Sequence, residues 1–221
     1  MSDPTPTCPP DNANTTARPG EGRWEFTHAL LFTGHMIDRA DRRHARFPAW
    51  AENRARRAIH GAIARLEWPQ PGTTLGLAGG ASGGDILFHE CCRELGITTR
   101  VLLALSPHEF ESSSVAPAGP GWVKRYHELM DRAGTALHIM QKNDGLLEGT
   151  SDNIWQRANL WMIEEANRLA PERALLALWD GKAGDGPGGT EHFLQVARRF
   201  GIRILPPIEM GTVLQMENKP V

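Results

Sequence analysis

The 221-residue chain is short of cysteine, of excess positive charge and of long apolar runs, and each shortage removes a class of protein. Its three cysteines are Cys8 in a proline-rich stretch and the adjacent pair Cys91 and Cys92. Neighbouring residues on a helix point in different directions, so this set supplies neither a disulfide framework nor a Cys-x-x-Cys zinc site, and a reducing cytoplasm suits it best. His89 and Cys92 stand one helical turn apart, but a metal needs more ligands than two, and no metal site is expected. A formal net charge of -2 argues against a protein that grips a nucleic-acid duplex by broad phosphate neutralisation. The arginines nearest to a basic patch, Arg39, Arg42, Arg43, Arg46, Arg54, Arg56 and Arg57, are interspersed with Asp38, Asp41 and Glu52, as on a solvated face or a local small-anion site. No apolar run approaches the ~20 residues of a membrane span, and the N-terminus lacks the basic and apolar regions of a signal peptide, so a soluble, unexported, cytoplasmic protein is expected. Neither G-x-G-x-x-G after a strand nor G-x-x-x-x-G-K-[ST] occurs, which disfavours an ordinary NAD dehydrogenase and a P-loop NTPase; no cofactor is implied.

What is present is centred on Thr74 to Glu90, TLGLAGGASGGDILFHE: a short apolar run, a turn of small residues, then an apolar segment at helical spacing from Asp85. Glycine permits positive φ and close approach to the backbone, and the first amides of a helix lack intrahelical partners, so strand, glycine turn and helix together can hold an anion or a sugar. The competing reading is a tight turn closed by a Ser82/Asp85 capping box. Apolar runs at His28–Phe32, Arg100–Leu105, Ala136–Met140 and Ala174–Trp179 predict further strands, and Ile202, Ile204 and Pro206 a last, alternating strand at a sheet edge. Helices are expected from Pro48 to about Leu66, after Asp85, from Trp122 to Arg132, from Ile154 to Leu169 with Asp152 or Asn153 as cap, and from Thr190 to Phe200. Residues 1–21 are too polar to offset their ordering entropy and are expected to be a disordered tail, with one domain over 22–209 and a C-terminal tail over 210–221.

Strands alternating with helices, the central strands continuously apolar, predict a single three-layer α/β domain: a mostly parallel sheet of about six strands with helices on both faces. Ligands bind such sheets at the carboxyl ends of the strands. The loops that follow strands here, GHMID, GGASGGD, SPHEFESSS and DGKAGDGPGGT, carry the polar and glycine-rich chemistry, whereas Trp68–Thr73 and Ala170–Glu172 at the opposite edge are short.

Two of those loops resemble the SLOG superfamily of Rossmann-like domains, which includes the Lonely Guy phosphoribohydrolases, DNA-processing-A-like proteins and nucleotide sensors of bacterial conflict systems. Gly79-Gly80-Ala81-Ser82-Gly83-Gly84-Asp85 is similar to the family's small-residue turn ending in an acid, and Pro187-Gly188-Gly189-Thr190 to its PGG and GT elements. The resemblance implies a Rossmann-like fold, a pocket for a nucleotide, nucleoside or sugar phosphate with the amides of Gly83, Gly84, Gly189 and Thr190 facing phosphate or ribose, and a homodimer. One departure stands out: the hydrolases place a catalytic glutamate three positions after the threonine, where this chain has Phe193.

The expected ligand-binding set is Gly34, His35, Gly80, Ser82, Gly83, Gly84, Asp85, Asp180, Gly188, Gly189 and Thr190. Asp85 divides between accepting from ribose hydroxyls and capping a helix, and Thr190 between ligand contact and N-cap. Acid/base candidates are Asp180, Asp85, Glu191, His192 and His35, the histidines because imidazole titrates near neutrality. Asp38 holds a ligand hydroxyl or pairs with the arginines around it. Asp180, a charge at the end of a buried strand, is either a ligand partner or a loop organiser. Asn159 is expected at an exposed helix position, Glu90 on a helix face, and Trp50, Trp155 and Trp161 in the core. The leading expectation is a module that binds or senses a nucleotide-derived ligand. The alternatives are a hydrolase or transferase at the N-glycosidic or phosphoribosyl bond of such a ligand, and a structural interaction domain.

Overall fold

The computed structural model describes residues 24–142, 144–145, 153–183 and 186–216. The expected tail over 1–21, Cys8 and Asp152 lie outside the described residues. Strands β1 His28–Gly34, β2 Thr74–Ala78, β3 Thr98–Leu103, β4 Leu137–Ile139, β5 Glu172–Trp179 and β6 Arg203–Ile204 form a sheet in the order β4-β3-β2-β1-β5-β6, and β7 Ile208–Glu209 pairs with the far end of β5. Every one of these pairings is parallel. Helices α1 Glu52–Ala64, α2 Gly84–Glu94, α3 Pro107–Ser114, α4 Pro120–Ala133, α5 Ile154–Leu169, α6 Thr190–Arg199 and α7 Met210–Gln215 complete an α/β, Rossmann-like architecture.

The continuously apolar strands have the reason expected of a doubly covered sheet. Along β1, Leu30 and Phe32 enter one core, with Ile59 of α1 and Phe88 of α2; Ala29 and Leu31 enter the other, with Trp161 and Ile163 of α5 and Phe193 of α6, and all four strand residues are fully buried. At about 25 cal/mol per Å² of apolar surface removed from water, burial on both faces is what holds such a strand in place. Phe32 stacks on Phe88 with centroids 4.7 Å apart, and Arg125 of α4 clamps Glu90 of α2 and Glu52 of α1 at 2.6 and 2.7 Å, so Glu90 is a helix-face residue in an ion-pair cluster. The chain runs outward from β1 through β2, β3 and β4, then crosses back through α5 to place β5 on the other side of β1. That reversal opens a crevice above the carboxyl ends of β1 and β5.

Four expectations need correction. SPHEFESSS is not a loop: Ser106 and Glu109 form a reciprocal capping box with Pro107 at the first helical position, and α3 results. Residues 210–215, assigned to a tail, form α7 and bury Met210 and Val213. Trp50 is 57% exposed, with the Arg54 guanidinium 4.8 Å over its ring, whereas Trp161 is core and Trp155 only half-buried. The Ser82/Asp85 box does not form: Gly83 is the N-cap of α2, no side chain caps it, and the Ser82 hydroxyl is buried without a hydrogen-bond partner.

The glycine turn has another task. The chain leaving β1 lies antiparallel across it, with a bridge between Met36 and Gly83, Gly84 N–H donating to His35 O at 3.0 Å and Ile37 N–H to Ser82 O at 3.2 Å. Gly83 has φ +95°, and a Cβ there would stand 2.7 Å from Ile37 N and 2.8 Å from His35 O. Both obstacles are backbone, so neither can swing aside. Gly83→Ala is therefore expected to lower unfolding free energy by about 2 kcal/mol or more. Gly121→Ala, in the first turn of α4 with nothing within 4 Å of the added carbon, should change it by no more than about 1 kcal/mol, in the stabilising direction. Urea unfolding of the two variants checks both values.

Candidate functional site

The crevice at the reversal point is a cleft of about 680 Å³ that runs over the ends of β3, β2, β1 and β5. Its lining is of two chemical kinds. Leu102 and Ala104 at the end of β3, Phe110 of α3, and Trp155, Ala158 and Met162 of α5 are apolar, with Phe110 and Trp155 edge to face at 6.1 Å. Gly186 to Thr190, and Arg39, Arg42 and Arg46 on the segment leaving β1, line it with backbone and charge. Gly189 is the N-cap of α6 and no side chain caps that helix, so its opening amides are presented where Thr33 Oγ1 and Thr190 Oγ1 meet at 3.3 Å.

Asn159 holds this glycine loop. Rather than being exposed it is 8% accessible, because it shares the inward stripe of α5 with half-buried Trp155 and buried Ile163, four residues to either side. Its Nδ2 donates to Gly188 O at 2.8 Å and lies 3.1 Å from His192 Nδ1, the acceptor of that pair, which leaves the ring proton of neutral His192 on Nε2. Burial lowers the His192 pKa. Gly188, at φ +82°, has no room for a side chain, since a Cβ would fall 2.4 Å from Trp155 Cβ. The start of α5, capped by Asn153 Oδ1 accepting from Trp155 and Gln156 N–H at 3.0 and 3.2 Å, is thus packed under the loop.

Asp180 is a loop organiser. Arg46 donates to both its oxygens, Nε to Oδ2 at 3.0 Å and Nη2 to Oδ1 at 2.9 Å, and Lys182 N–H adds 3.1 Å to Oδ1. Burial disfavours its charge, but these donors outweigh burial and hold the carboxyl well below the usual carboxylate range. His35 Nε2 accepts from Asp180 N–H at 3.1 Å; the same nitrogen is 3.1 Å from Asp180 Oδ1, a contact that becomes an ion pair only on protonation. Burial first, and Arg46 second, lower the His35 pKa against the opposing pull of Asp180, which favours the neutral, amide-accepting ring. Asp38 closes the same segment by accepting from Arg46 and Phe47 N–H at 2.8 and 2.9 Å, with Arg42 at 3.3 Å. Arg46, Asp180, His35 and Asp38 therefore fix the wall of the cleft to the end of β5.

The candidate set divides accordingly. Gly34, His35, Asp85, Gly188, Gly189 and Thr190 line the cleft. Glu191 and His192 turn to a separate depression of about 280 Å³ behind the glycine loop, with Gln156 and Gln195. Gly80, Ser82, Gly83 and Gly84 are packed beneath: a Cβ on Gly80 would meet Tyr126, and one on Gly84 would sit 3.0 Å from Gly34 Cα. From the turn after β2 only Gly79, Ala81 and Asp85 reach the cleft. Sequence reasoning missed Phe110, Ser113 and Ser114, although the Ser-Pro-x-Glu start of α3 is the signal that places them on a helix. Among the described residues no group of His, Cys, Asp and Glu could hold a metal ion, and no helix is long and apolar enough to cross a membrane.

The sheet order, the parallel pairings and the cleft at the reversal point define a Rossmann-like α/β domain. No protein-family model and no curated protein matches the chain. Among solved structures it is similar to the X-ray structure of DNA processing protein A (DprA) from Streptococcus pneumoniae, with a TM-score of 0.34 and 10% identity over 88% of this chain; the chain spans 63% of that one.

If Asp180 organises the loop, Asp180→Asn should lower stability by about 2 kcal/mol near neutral pH, the scale of hydrogen bonds to a charged group, and the melting temperature by roughly 4–8 °C. A depressed carboxyl stabilises fully above the unfolded pKa of about 4 and loses that contribution as pH falls towards the folded value, so the gap between wild type and variant should narrow below about pH 4. Thermal melts from pH 3 to 8 measure it.

Proposed function

We propose that the cleft binds or senses a nucleotide-derived ligand, as a nucleotide, nucleoside or sugar phosphate, in a domain of the SLOG type. The observation that carries this reading is the meeting of unlike surfaces in one crevice: the uncapped start of α6 in one part of its lining and the Phe110–Trp155 wall in another. Helix amides suit phosphate, an aromatic wall suits a planar base, and a position at the reversal of strand order suits both. The Pro187-Gly188-Gly189-Thr190 motif that resembles the superfamily leads into the start of α6, which supports the same assignment. The phosphate is assigned to the loop before α6 alone, because Gly84 N–H is spent on His35 O and the turn before α2 is covered.

A second reading, a hydrolase or transferase at the N-glycosidic or phosphoribosyl bond, is favoured by one observation. Of the acid/base candidates, Asp85 lines the cleft and has no arginine or lysine paired with it among the described residues, whereas Asp180 is clamped by Arg46, His35 Nε2 is occupied by an amide, and Glu191 and His192 face elsewhere.

A thermal-shift panel of nucleotides, nucleosides and sugar phosphates tests the binding reading. At a hundred times Kd a ligand specific to the folded state adds about 2.7 kcal/mol, a rise of several degrees for a domain of this size. At least one phosphorylated ribonucleoside is expected to give such a shift. Gly189→Val should reduce it by half or more while leaving the free protein folded, since φ -69° and ψ -174° at Gly189 are open to any residue and the branched side chain would crowd the α6 amides. Chromatography of the same mixtures for free base separates enzyme from binding module. A folded protein that shifts with nothing on the panel would favour the structural interaction domain.

A further inference from the structure

Asp85 occupies an unusual position for a carboxyl. It follows the buried turn after β2 and lines the cleft close to Leu102: the Cβ that Gly79 lacks would stand 2.7 Å from Asp85 Oδ2 and 3.9 Å from the carbonyl oxygen of Leu102 on β3. Oδ2 accepts a long hydrogen bond, 3.3 Å, from Ala81 N–H, and among the described residues no side-chain donor is paired with either oxygen. The absence of a side chain at Gly79 is what lets the carboxyl fold back there.

Apart from the start of α2, on whose first turn it stands, the described surroundings offer it no countercharge. Among the described residues, the ionisable groups of the cleft are His35, Asp38, Arg39, Arg42 and Arg46, all on the segment leaving β1, and of the cations Arg42 and Arg46 are turned to Asp38 and Asp180, while Arg39 is paired with Asp41 at 3.8 Å. The stretches of β2, β3, α3, α5 and α6 that line the cleft around Asp85 carry no ionisable side chain. On α2 itself His89, one turn on, is buried with Nε2 on Gly79 O at 2.9 Å and a pKa lowered to about 4, and Glu90 is held by Arg125. From α4 the Tyr126 hydroxyl donates to Pro107 O at 3.0 Å.

We propose that Asp85 is the specificity-determining residue of the cleft and meets its ligand as a neutral carboxylic acid, with Oδ1–H donating to an acceptor atom of a nucleobase while Oδ2 stays on the Ala81 amide. The inference rests on the reading of the cleft as a nucleotide site and reverses the role expected of an ionised carboxylate, which would accept from ribose hydroxyls. It selects for a ring nitrogen or carbonyl on the ligand part that lies against Asp85, since a hydrogen-bond donor of the site left unpaired there carries a desolvation penalty. Burial, opposed weakly by the Ala81 amide, pushes the Asp85 carboxyl up to about 7, in keeping with this state. The linkage has a definite sign. The unfolded carboxyl ionises near pH 4 and the folded one near 7, so the folded state holds the extra proton between them, and stability falls as pH rises through that window and levels off above it.

Calorimetric titration of the full chain with adenosine monophosphate from pH 7 to 9, where the ligand's phosphate no longer changes charge, tests the proposal. Wild-type affinity should weaken towards tenfold per pH unit in the upper part of the range, while Asp85→Asn, whose amide supplies the same donor, should bind within about threefold of wild type at pH 7 and stay flat to pH 9. Wild-type affinity that is constant or tightens with pH, or a folded Asp85→Asn variant that loses more than tenfold, would overturn it. Should adenosine monophosphate not bind at all, the nucleotide reading is what fails; the carboxyl is then judged directly by a 13C NMR titration of the ligand-free protein. A midpoint for Asp85 near 7 would support the neutral acid, and one below 5 would overturn it.

Discussion

The geometry of the cleft depends on one contact, the antiparallel crossing of the chain that leaves β1 over the glycine turn that follows β2. Two backbones approach there more closely than any side chain would allow: Gly83 at positive φ abuts His35 O and Ile37 N, and Gly84 abuts Gly34. The crossing spends Gly84 N–H and the Ser82 carbonyl on protein, which closes the start of α2 to an anion. It also sends residues 35–47 along the edge of the sheet, where Arg46 reaches Asp180 at the end of β5 and Asp38 closes the return. One wall of the crevice is therefore set by a contact at the β1–β2 junction and a bidentate ion pair at β5.

With that wall in place, the division of labour between the two glycine loops follows. Both are strand-to-helix turns, both helices have glycine N-caps, and neither has a side-chain cap. They differ in what lies on them. The first is buried under β1's exit, while the second rests on the start of α5, steadied by Asn159, and leaves its helix open to the cleft. Equivalent sequence chemistry gives a packing element in one case and a candidate anion site in the other, and the neighbour decides which.

This is also where the sequence stopped being informative. Continuous apolar runs predicted the parallel sheet, and the strand-end rule located the cleft, because both depend on burial and connectivity, which are written in local composition. The long helix over Ile154–Leu169 was legible to the residue, and its cap, Asn153, is one of the two residues expected there. What was not legible was which face of a glycine turn another segment would cover, since the partner, residues 35–37, is some fifty positions away. Which of its expected roles Asp180 takes was hidden for the same reason, because Arg46 is 134 residues distant. Two failures had local signals that were passed over: the capping box that starts α3, and the position of Asn159 on the stripe shared by Trp155 and Ile163.

The central claim is that ligand phosphate is held at the start of α6 and not at the start of α2. Amide chemical-shift mapping with adenosine monophosphate tests it most directly, because each amide reports for itself. The largest perturbations are expected at Gly189, Thr190 and Glu191, smaller ones at Thr33, and essentially none at Gly83 or Gly84. Perturbations centred on Gly83, Gly84 and Asp85, with the α6 amides unmoved, would contradict it.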